Sequence, residues 1–370
     1  MSKATTTRDE ALYKLPAKSL RALKQDPVRS AQAIDLRYVN DGMKGIARQK
    51  HGANFRYRSN DAPVTDAEIL GRIKSLAIPP AWTDVWICPH ANGHLQATGK
   101  DARGRKQYRY HLQWSRVRSH TKFHHALEFG NRIPDIRERL AKDLNRSNLD
   151  REKVLALVVS IMDQTHIRIG NASYEKDNNS FGLSTLKDKH VKSDPRSVRL
   201  IFKGKTGIAH DVKIQSRKLA RLVTHCRDLP GQELFQYIDA NGEPKPIDSG
   251  MVNDYIREIS GGPFTSKDFR TWKGTVHCLK GLIAETCPTS ATARKEAINK
   301  ALDEAAKQLG NTRAVCRKYY IHPEVITSFE CEKLHRLMDS VHGEDVSTKG
   351  GYTFEERLVL KVLQAARRTR

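Results

Sequence analysis

Two arginines, a lysine and a pair of adjacent tyrosines supply the groups needed to break a phosphodiester bond without a metal ion. Arg168, Lys205 and Arg270 stand in separate segments, and Tyr319 and Tyr320 follow near the end of the chain. Two guanidinium groups can grip the non-bridging phosphate oxygens and stabilise the negative charge that develops during attack. A tyrosine hydroxyl activated by such cations is a sufficient nucleophile, and the lysine can protonate the departing sugar 5′-hydroxyl.

Each of these residues alone has a more ordinary explanation. An arginine after an apolar helix usually caps the helix C-terminus or faces solvent, a lysine in a hairpin turn is usually solvated, and tyrosines often pack in a core. The prediction depends on the order and spacing of the set, which includes Asn311, nine residues before Tyr320. An asparagine amide can donate a further hydrogen bond to a phosphate oxygen. The predicted catalytic residues are Arg168, Lys205, Arg270, Asn311 and Tyr320.

The sequence contains no recognisable loop for binding ATP. The glycine-bounded segment 99–104 is followed by Arg105 and Lys106, whereas a phosphate-binding loop requires lysine and then serine or threonine. Gly204-Lys205-Thr206 resembles the end of such a loop, but Arg199 occupies the position of its first glycine. ATP is therefore not implied.

Metal-dependent chemistry is not indicated either. The sequence has no cluster of aspartates and glutamates typical of a two-magnesium site. His120, His124 and His125 have the spacing of a helical metal-binding pair, but in so basic a stretch a phosphate-contacting or solvated helix is favoured. The six cysteines are scattered, without CxxC pairs or zinc spacing, and are expected to be reduced thiols. The sequence predicts neither a metal nor a cofactor.

Basic residues exceed acidic residues along the whole chain. Among 370 residues, lysine and arginine total 65 and aspartate and glutamate 42, which gives a net charge of +23. Such a charge favours nucleic acid as the partner over an acidic protein, or over a basic surface kept for solubility, because the excess is not confined to one tail. The sequence shows no membrane-spanning apolar run and no signal-peptide core, so we expect a cytoplasmic protein with no membrane partner.

The elements that must position these residues indicate an α+β protein with two domains. Residues 1–34 are polar and basic and are predicted to form a flexible segment. Residues 35–113 are predicted to form a small strand-rich domain, with an amphipathic helix opening at Thr65 and strands at residues 85–88, 94–98 and 107–112. Residues 114–330 are predicted to form a mostly helical catalytic domain, and residues 331–370 a basic helical tail.

Apolar residues spaced three and four apart predict the helices of the second domain. These helices cover residues 120–128, 134–144, 151–168, 216–226, 249–259, 265–280, 291–309 and 354–370. Helix 151–168 has the broadest apolar stripe and places Arg168 at its end, before Gly170. Alternating apolar residues on both sides of the sequence Gly204-Lys205-Thr206-Gly207 predict a β-hairpin with Lys205 in its turn.

With these motifs in order, the chain resembles the poxvirus-like and bacterial type IB DNA topoisomerases over roughly residues 35–325. The segments DARGRKQYRY (101–110), RIGN from Arg168 with FGLSTL (181–186), FKGK ending at Lys205, KDFRT around Arg270 and CRKYY ending at Tyr320 carry the resemblance. In that order, these segments are similar to five features of the family: the amino-terminal signature, the first catalytic arginine, the hairpin lysine, the second catalytic arginine and the nucleophile segment.

The resemblance implies an enzyme that cuts one strand of duplex DNA, lets supercoils of either sign relax and reseals the strand. A 3′-phosphotyrosine at Tyr320 would store the energy of the broken bond, without ATP or metal. The implied fold is a two-domain clamp, a small strand-rich domain and a mostly helical catalytic domain with a small β-hairpin sheet, that closes around DNA as a monomer. Most DNA contacts would be to phosphates. The predicted DNA-binding residues are Arg105, Lys106, Gln107, Tyr108, Tyr110 and Lys267.

Two departures from the family pattern and two alternative functions are open. Many relatives have histidine at the position of Asn311, so a contact that can carry charge is replaced by a neutral one. The adjacent tyrosines make the nucleophile ambiguous, although the spacing from Asn311 favours Tyr320. A tyrosine recombinase shares this chemistry but typically has histidine at the position of Lys267. A non-catalytic basic DNA-binding protein accounts for the charge and leaves the ordered motifs unexplained.

Overall fold

The computed structural model describes residues 26–52, 54–102, 104–194, 197–285, 288, 290–342 and 351–368. The chain divides into two compact units, Met1–His124 and His125–Arg370. Antiparallel strands and helices form both units, which confirms the predicted α+β class. None of the described helices is long and apolar enough to cross a membrane.

The first unit is built on a six-stranded antiparallel sheet. Its strands are β1 (Ile46–His51), β2 (Asn54–Ser59), β3 (Ala62–Pro63), β4 (Thr83–Ile87), β5 (Leu95–Lys100) and β6 (Lys106–Tyr110), in the order β3-β2-β1-β4-β5-β6. The three predicted strands correspond to β4, β5 and β6. Strands β1 to β3 were not predicted because they are mostly exposed and lack an apolar alternation.

Two short helices accompany this sheet. Helix α2 (Ala67–Ser75) is the predicted amphipathic helix, and Asp66 caps its N-terminus. Helix α1 (Pro27–Gln32) lies where a flexible segment was predicted. The carboxylate of Asp26 accepts hydrogen bonds from two backbone N–H groups of its first turn, and Ala31 is buried in a cluster with Trp114. This part of the predicted flexible segment is therefore a capped helix with a buried face, whereas residues 1–25 lie outside the described residues.

The second unit is mostly helical and has one large core. Its helices, with the long helix that leads into it, are α3 (Leu112–Asp143), α4 (Arg151–Thr165), α5 (Ala172–Asn178), α6 (Arg217–Arg227), α7 (Ser249–Ser260), α8 (Ser266–Ile283), α9 (Ala291–Leu309), α10 (Arg313–Tyr319), α11 (Pro323–Glu330), α12 (Lys333–His342) and α13 (Phe354–Arg368). Strands β7 (Val191–Asp194), β8 (Ser197–Lys203) and β9 (Ala209–Ile214) form a three-stranded sheet, and β10 (Gln236–Ile238) pairs with β11 (Pro244–Pro246). Strands β8 and β9 are the predicted hairpin.

The single helix α3 replaces the two helices predicted at residues 120–128 and 134–144. Pro134 lies inside α3 and has no N–H to donate to the carbonyl of Gly130, one turn earlier. The hydroxyl of Tyr352 donates to that carbonyl oxygen instead, with an O–O distance of 2.9 Å. The prediction of two helices was wrong because the group that lets the helix continue stands 222 residues after Gly130.

Helix α4 ends at Thr165, earlier than predicted. His166 follows with φ 60° and ψ 14°, a left-handed cap conformation, and its N–H donates to the carbonyl of Met162 at 2.9 Å. Arg168 therefore lies in a non-helical segment rather than at the end of a helix. Because residues 154–159, Ile161 and Met162 of α4 are buried, the segment that carries Arg168 begins at the core of the second unit.

Helix α13 is the helix predicted at residues 354–370, and its described part packs into the core of the second unit. Leu358, Val359, Val362 and Leu363 are buried there, so one face of the helix is apolar. The carboxylate of Glu356, in its first turn, is also fully buried. The C-terminal helix is thus part of the core as well as carrying basic residues.

Candidate active site

Four separate segments of the second unit meet around a cavity of about 270 Å³. Arg168 comes from the loop after α4, Lys205 from the turn of the β8–β9 hairpin, Arg270 from α8 and Tyr320 from the end of α10. The other lining residues are Ile169, Gly170, Asn171, Ser180, Phe181, Ser266 and Lys267. The structure thus brings together four of the five predicted catalytic residues, and also Lys267.

Arg270 is placed by the capped N-terminus of α8. The Asp268 carboxylate accepts hydrogen bonds from the N–H and hydroxyl of Thr265, at 2.8 and 3.0 Å, and so fixes the start of the helix. The side chain of Arg270 is 5% exposed. Its Nη1 donates to the carbonyl of His166, and its Nη2 donates to the carbonyl of Leu309 at 2.8 Å. Arg270 also forms a side-chain hydrogen bond with Tyr320. Because a guanidinium has five N–H groups, donors remain for a phosphate.

The electrostatic environment of Arg270 is unusual for an arginine. Burial, the largest cause, and the neighbouring charge of Arg168 lower the pKa of Arg270 to about 10, although Tyr320 acts in the opposite direction. The guanidinium remains protonated at neutral pH. Arg168 and Arg270 are neighbouring cations, and Arg270 is desolvated. Their combined electrostatic potential favours a bound anion.

Arg168 is positioned through its backbone. The carbonyl of Arg168 accepts a hydrogen bond from the N–H of Leu183 at 2.9 Å, and the carbonyl of Ile169 accepts one from the N–H of Ser184 at 2.6 Å. Gly170, with φ 93°, packs directly against Gly182, where an added Cβ would lie 2.5 Å from Gly170 atoms. The FGLSTL segment therefore holds the strand-like segment of Arg168 by a backbone contact that only glycine permits.

Asn311 contacts two groups that the sequence did not indicate. Its Oδ1 accepts a hydrogen bond from Nη2 of Arg168 at 2.5 Å, and its Nδ2 donates to the carbonyl of Leu309 at 3.3 Å. The same carbonyl accepts the Nη2 bond of Arg270. Asn311 thus links the two arginines through one backbone oxygen. The bond to Leu309 uses one of the two hydrogens of Nδ2, and the predicted hydrogen bond from this amide to a phosphate stays a prediction.

Lys205 lies at the start of a 3₁₀ turn, Lys205–Gly207, between β8 and β9, and it is exposed. His210 on β9 is a neighbour that the sequence did not suggest. Its ring stacks on Phe202, with centroids 4.8 Å apart, and an added Cβ at Gly204 or Gly310 would lie 2.6 or 3.2 Å from that ring. Burial, followed by the charges of the two active-site arginines, lowers the pKa of His210. In the sequence, the only indication of the position of the His210 ring is the pair of glycines beside it, Gly204 before Lys205 and Gly310 before Asn311.

Tyr320 is the tyrosine that faces the cavity. The guanidinium of Arg270 lies 5.1 Å from the centre of its ring, whereas Tyr319 is 45% exposed and is not among the cavity-lining residues of the described chain. The hydroxyl of Thr275 donates to the Tyr320 carbonyl at 3.3 Å. An added Cβ at Gly274 would lie 2.9 Å from that same oxygen. Helix α8 therefore positions both Arg270 and the backbone of Tyr320, and neither Gly274 nor Thr275 was predicted to matter.

The DNA-binding residues predicted in the first unit lie on strand β6 and the turn before it. Because side chains alternate along a strand, Lys106, Tyr108 and Tyr110 share an exposed face, and the two tyrosine rings stack with centroids 5.9 Å apart. Gln107 is on the other face and donates to the carboxylate of Asp101 at 2.9 Å. The side chain of Arg105 also contacts Asp101, at 2.7 Å. Within this set, Lys106, Tyr108 and Tyr110 lie on an exposed face, whereas Arg105 and Gln107 have partners within the turn. That these residues bind DNA stays a prediction.

Lys106 also has a partner. Its Nζ lies 2.6 Å from the carboxylate of Asp41 and 5.8 Å from the centre of the Tyr108 ring. The Asp41 side chain also accepts a hydrogen bond from the hydroxyl of Thr98 at 3.0 Å. This exposed ion pair is weak in water, so a phosphate can compete for the lysine.

In the part of the chain that the structure describes, no group of three histidine, cysteine, aspartate or glutamate side chains is arranged to hold a metal ion. The cavity instead presents two guanidiniums and two ammonium groups around one phenol. Such a set of groups suits a phosphodiester, whose charge it can stabilise directly.

Comparisons with known proteins agree with this chemistry. The family model of the catalytic core of eukaryotic DNA topoisomerase I matches residues 111–343, and the model of the N-terminal domain of bacterial DNA topoisomerase IB matches residues 54–101. The chain is 35% identical over 288 residues to DNA topoisomerase 1B of Acanthamoeba polyphaga mimivirus, covering 75% of this chain and 85% of that protein. It is 24% identical over 287 residues to DNA topoisomerase 1B of vaccinia virus (strain Copenhagen), covering 75% and 87%.

Proposed function

The chain belongs to the type IB DNA topoisomerases, and on this premise we propose that it relaxes supercoiled duplex DNA through a covalent bond between Tyr320 and one DNA strand. The observation that supports this mechanism best is the convergence of Arg168, Lys205, Arg270 and Tyr320 on one cavity. These residues are separated by tens of residues in the sequence, so only the fold brings them together. The chemistry of each side chain supplies one requirement of the reaction.

In the proposed cleavage step, the hydroxyl oxygen of Tyr320 attacks the phosphorus of a phosphodiester. A bond forms between that oxygen and phosphorus, and the bond from phosphorus to the sugar 5′-oxygen breaks. The phenol proton passes to solvent, and the ammonium of Lys205 donates a proton to the departing 5′-oxygen. The products are a 3′-phosphotyrosine and a free 5′-hydroxyl. Resealing is the reverse reaction, so the bond energy is conserved and ATP is not required.

The two arginines stabilise the charge that develops on the non-bridging oxygens. Arg270 is pre-oriented by two backbone carbonyls, and Arg168 by Asn311. Groups fixed before the reaction need little rearrangement as charge develops, and removing one such donor typically costs about 10²- to 10³-fold in rate. This arrangement supplies the stabilisation that a metal ion would otherwise provide.

We propose that the enzyme acts as a monomer on supercoiled duplex DNA. A net charge of +23 favours contacts to phosphates along the duplex, and such contacts are independent of sequence. Lys267 at the rim of the cavity is exposed and adds one more cation for the backbone of the cleaved strand. Because each phosphate contact releases counterions, affinity should fall steeply as salt rises.

The test is relaxation of negatively supercoiled plasmid in EDTA without ATP, comparing the wild type with Tyr320→Phe and Tyr319→Phe. We expect the wild type and Tyr319→Phe to relax the plasmid, and Tyr320→Phe to bind it without relaxing it. With a 5′-labelled strand, denaturant should trap the label on the wild-type protein and on Tyr319→Phe only. Relaxation by Tyr320→Phe would overturn the choice of nucleophile, and loss of all relaxation in EDTA would overturn the metal-free mechanism.

A further inference from the structure

A buried histidine, His166, and a half-buried one, His277, join the end of α4 to helix α8. Nε2 of His166 lies 2.7 Å from Nε2 of His277, and the rings meet edge to face with an interplanar angle of 67°. This distance is that of an N–H···N hydrogen bond. Two nitrogen ligands of one tetrahedral zinc ion, each at about 2.1 Å, would be roughly 3.4 Å apart, so a metal does not account for the pair.

Helix α8 holds His166 at two points. The His166 carbonyl accepts a hydrogen bond from Arg270, and its ring is bonded to His277, seven residues after Arg270 and on the same face of the helix. Arg168 follows His166 by two residues. His166 therefore contacts Arg270 directly and begins the short segment that carries Arg168.

The backbone of His166 requires such a constraint. Its φ of 60° is in the left-handed region, which is unfavourable for a residue with a Cβ. The direction of its carbonyl depends on this conformation. A side-chain bond to a helix that is itself buried holds the carbonyl toward Arg270.

We propose that His277 is a positioning residue, whose hydrogen bond to His166 keeps the His166 carbonyl in the place where it orients the Arg270 guanidinium for the cleaved phosphate. The inference rests on the proposed function, because it assigns a role within that active site. It predicts that loss of the His277 ring nitrogen slows cleavage without weakening DNA binding.

Desolvation, reinforced by nearby cations, keeps both rings neutral near pH 7, so one ring can donate and the other accept. Desolvation is the largest cause that lowers the pKa of His166 to about 3 and that of His277 to about 4. The charged groups that face the pair are Arg270, Lys273 and Lys280 from α8, Asp163 from α4 and Glu355 from α13. The three cations reinforce the effect of desolvation, and the two carboxylates oppose it.

The experiment measures single-turnover cleavage and DNA affinity for full-length His277→Phe and His277→Gln. His277→Phe should cleave roughly 10- to 100-fold more slowly at unchanged affinity, since a displacement of about 1 Å in an active site costs up to about 10²-fold. Glutamine, whose amide can donate and accept, should restore most of the rate. The matched control is His335→Phe. His335 lies on α12, is half-buried and packs beside Phe329, and this variant should cleave like the wild type.

A double-mutant cycle with Arg270→Lys separates positioning from a general structural effect. If His277 acts through Arg270, adding His277→Phe to Arg270→Lys should change the rate less than twofold. An equal loss in both backgrounds, or wild-type cleavage by His277→Phe, would overturn the inference. Absence of any covalent DNA adduct in the wild type would instead overturn the proposed function.

Discussion

The buried carboxylate of Glu356 should be one of the most important single side chains for the stability of the second unit. Nη1 and Nη2 of Arg137 each donate to this carboxylate at 2.8 Å, and Nζ of Lys273 lies 3.2 Å from it. The indole N–H of Trp272 donates to the same group at 3.3 Å. Glu356 thus ties α13 to α3 and to α8, the helix that carries Arg270.

The size of the effect follows from the pKa of Glu356. Burial by itself raises this pKa, but the hydrogen bonds from Arg137 and the charges of Lys273 and Arg137 outweigh burial and lower it from 4.5 to about 2. At roughly 1.4 kcal/mol per pKa unit, the ionised form is stabilised by about 3 kcal/mol in the folded state. Removing one partner of a buried ion pair typically costs about 3 to 5 kcal/mol, which agrees. We therefore expect Glu356→Gln to lower the free energy of unfolding by about 3 kcal/mol.

Urea denaturation monitored by tryptophan fluorescence measures this loss, since Trp272 contacts the mutated group. The control is Glu355→Gln, whose side chain is 23% exposed and lies 3.9 Å from Lys280, so that its loss should be within about 0.5 kcal/mol. The stabilisation by Glu356 should be present above pH 4.5 and lost as the pH falls toward 2. A loss below about 1 kcal/mol for Glu356→Gln, or one equal to that of the control, would refute the reasoning.

Three other predictions test the active site and its support. Lys205→Ala should slow cleavage of normal DNA about 10²- to 10⁴-fold. The defect should be far smaller on DNA in which sulfur replaces the bridging 5′-oxygen, because a thiolate leaves without a proton. Equal defects on both substrates would exclude this lysine as the general acid. Gly274→Ala should slow cleavage, because the added carbon would displace the carbonyl of Tyr320. The control Gly71→Ala has open space around the added carbon and should cleave at the wild-type rate. Single-turnover assays of both variants measure the difference. Because desolvation lowers the pKa values of His166 and His277 from 6.5, the unfolded chain takes up these protons first, and stability is lost as the pH falls below 6.5. Urea titrations should show a loss of roughly 2 kcal/mol per histidine at pH 5 relative to pH 7.5, and a smaller loss for His277→Phe.

The sequence predicted those elements whose signals are local. The hairpin around Lys205 follows from alternation and two glycines. Helix α8 follows from apolar residues spaced three and four apart, and the structure adds the Thr265–Asp268 capping pair at its start. Helix α4 has a similar local start at Asp150, but its end was misplaced. That end depends on the left-handed His166, which is held by contacts from a helix about a hundred residues later.

The candidate site shows the same limit. Order and family resemblance selected four residues that share the cavity, although their catalytic roles stay predictions. They did not reveal that Asn311 accepts a hydrogen bond from Arg168, or that His210 packs between two glycine-bearing turns. Such contacts join segments far apart in the chain, and residue types alone do not determine which of the possible partners meet.

The C-terminal helix supports the core around the candidate active site, because two gaps in that core are filled from the helix and from the residues just before it. Tyr352 supplies the hydrogen bond that Pro134 cannot give to Gly130, and Glu356 neutralises cations from α3 and α8. The C-terminal segment thus bonds to both helices, and an added Cβ at Gly130 would lie 2.5 Å from the ring of Trp272 on α8. Without this segment, α3 would have an unpaired buried carbonyl, and Lys273 of α8 would keep the carboxylate of Asp163 but lose that of Glu356. The positions of Arg270 and of the Tyr320 backbone depend on α8. Residues that follow Tyr320 in the chain therefore complete the core that holds the candidate active site.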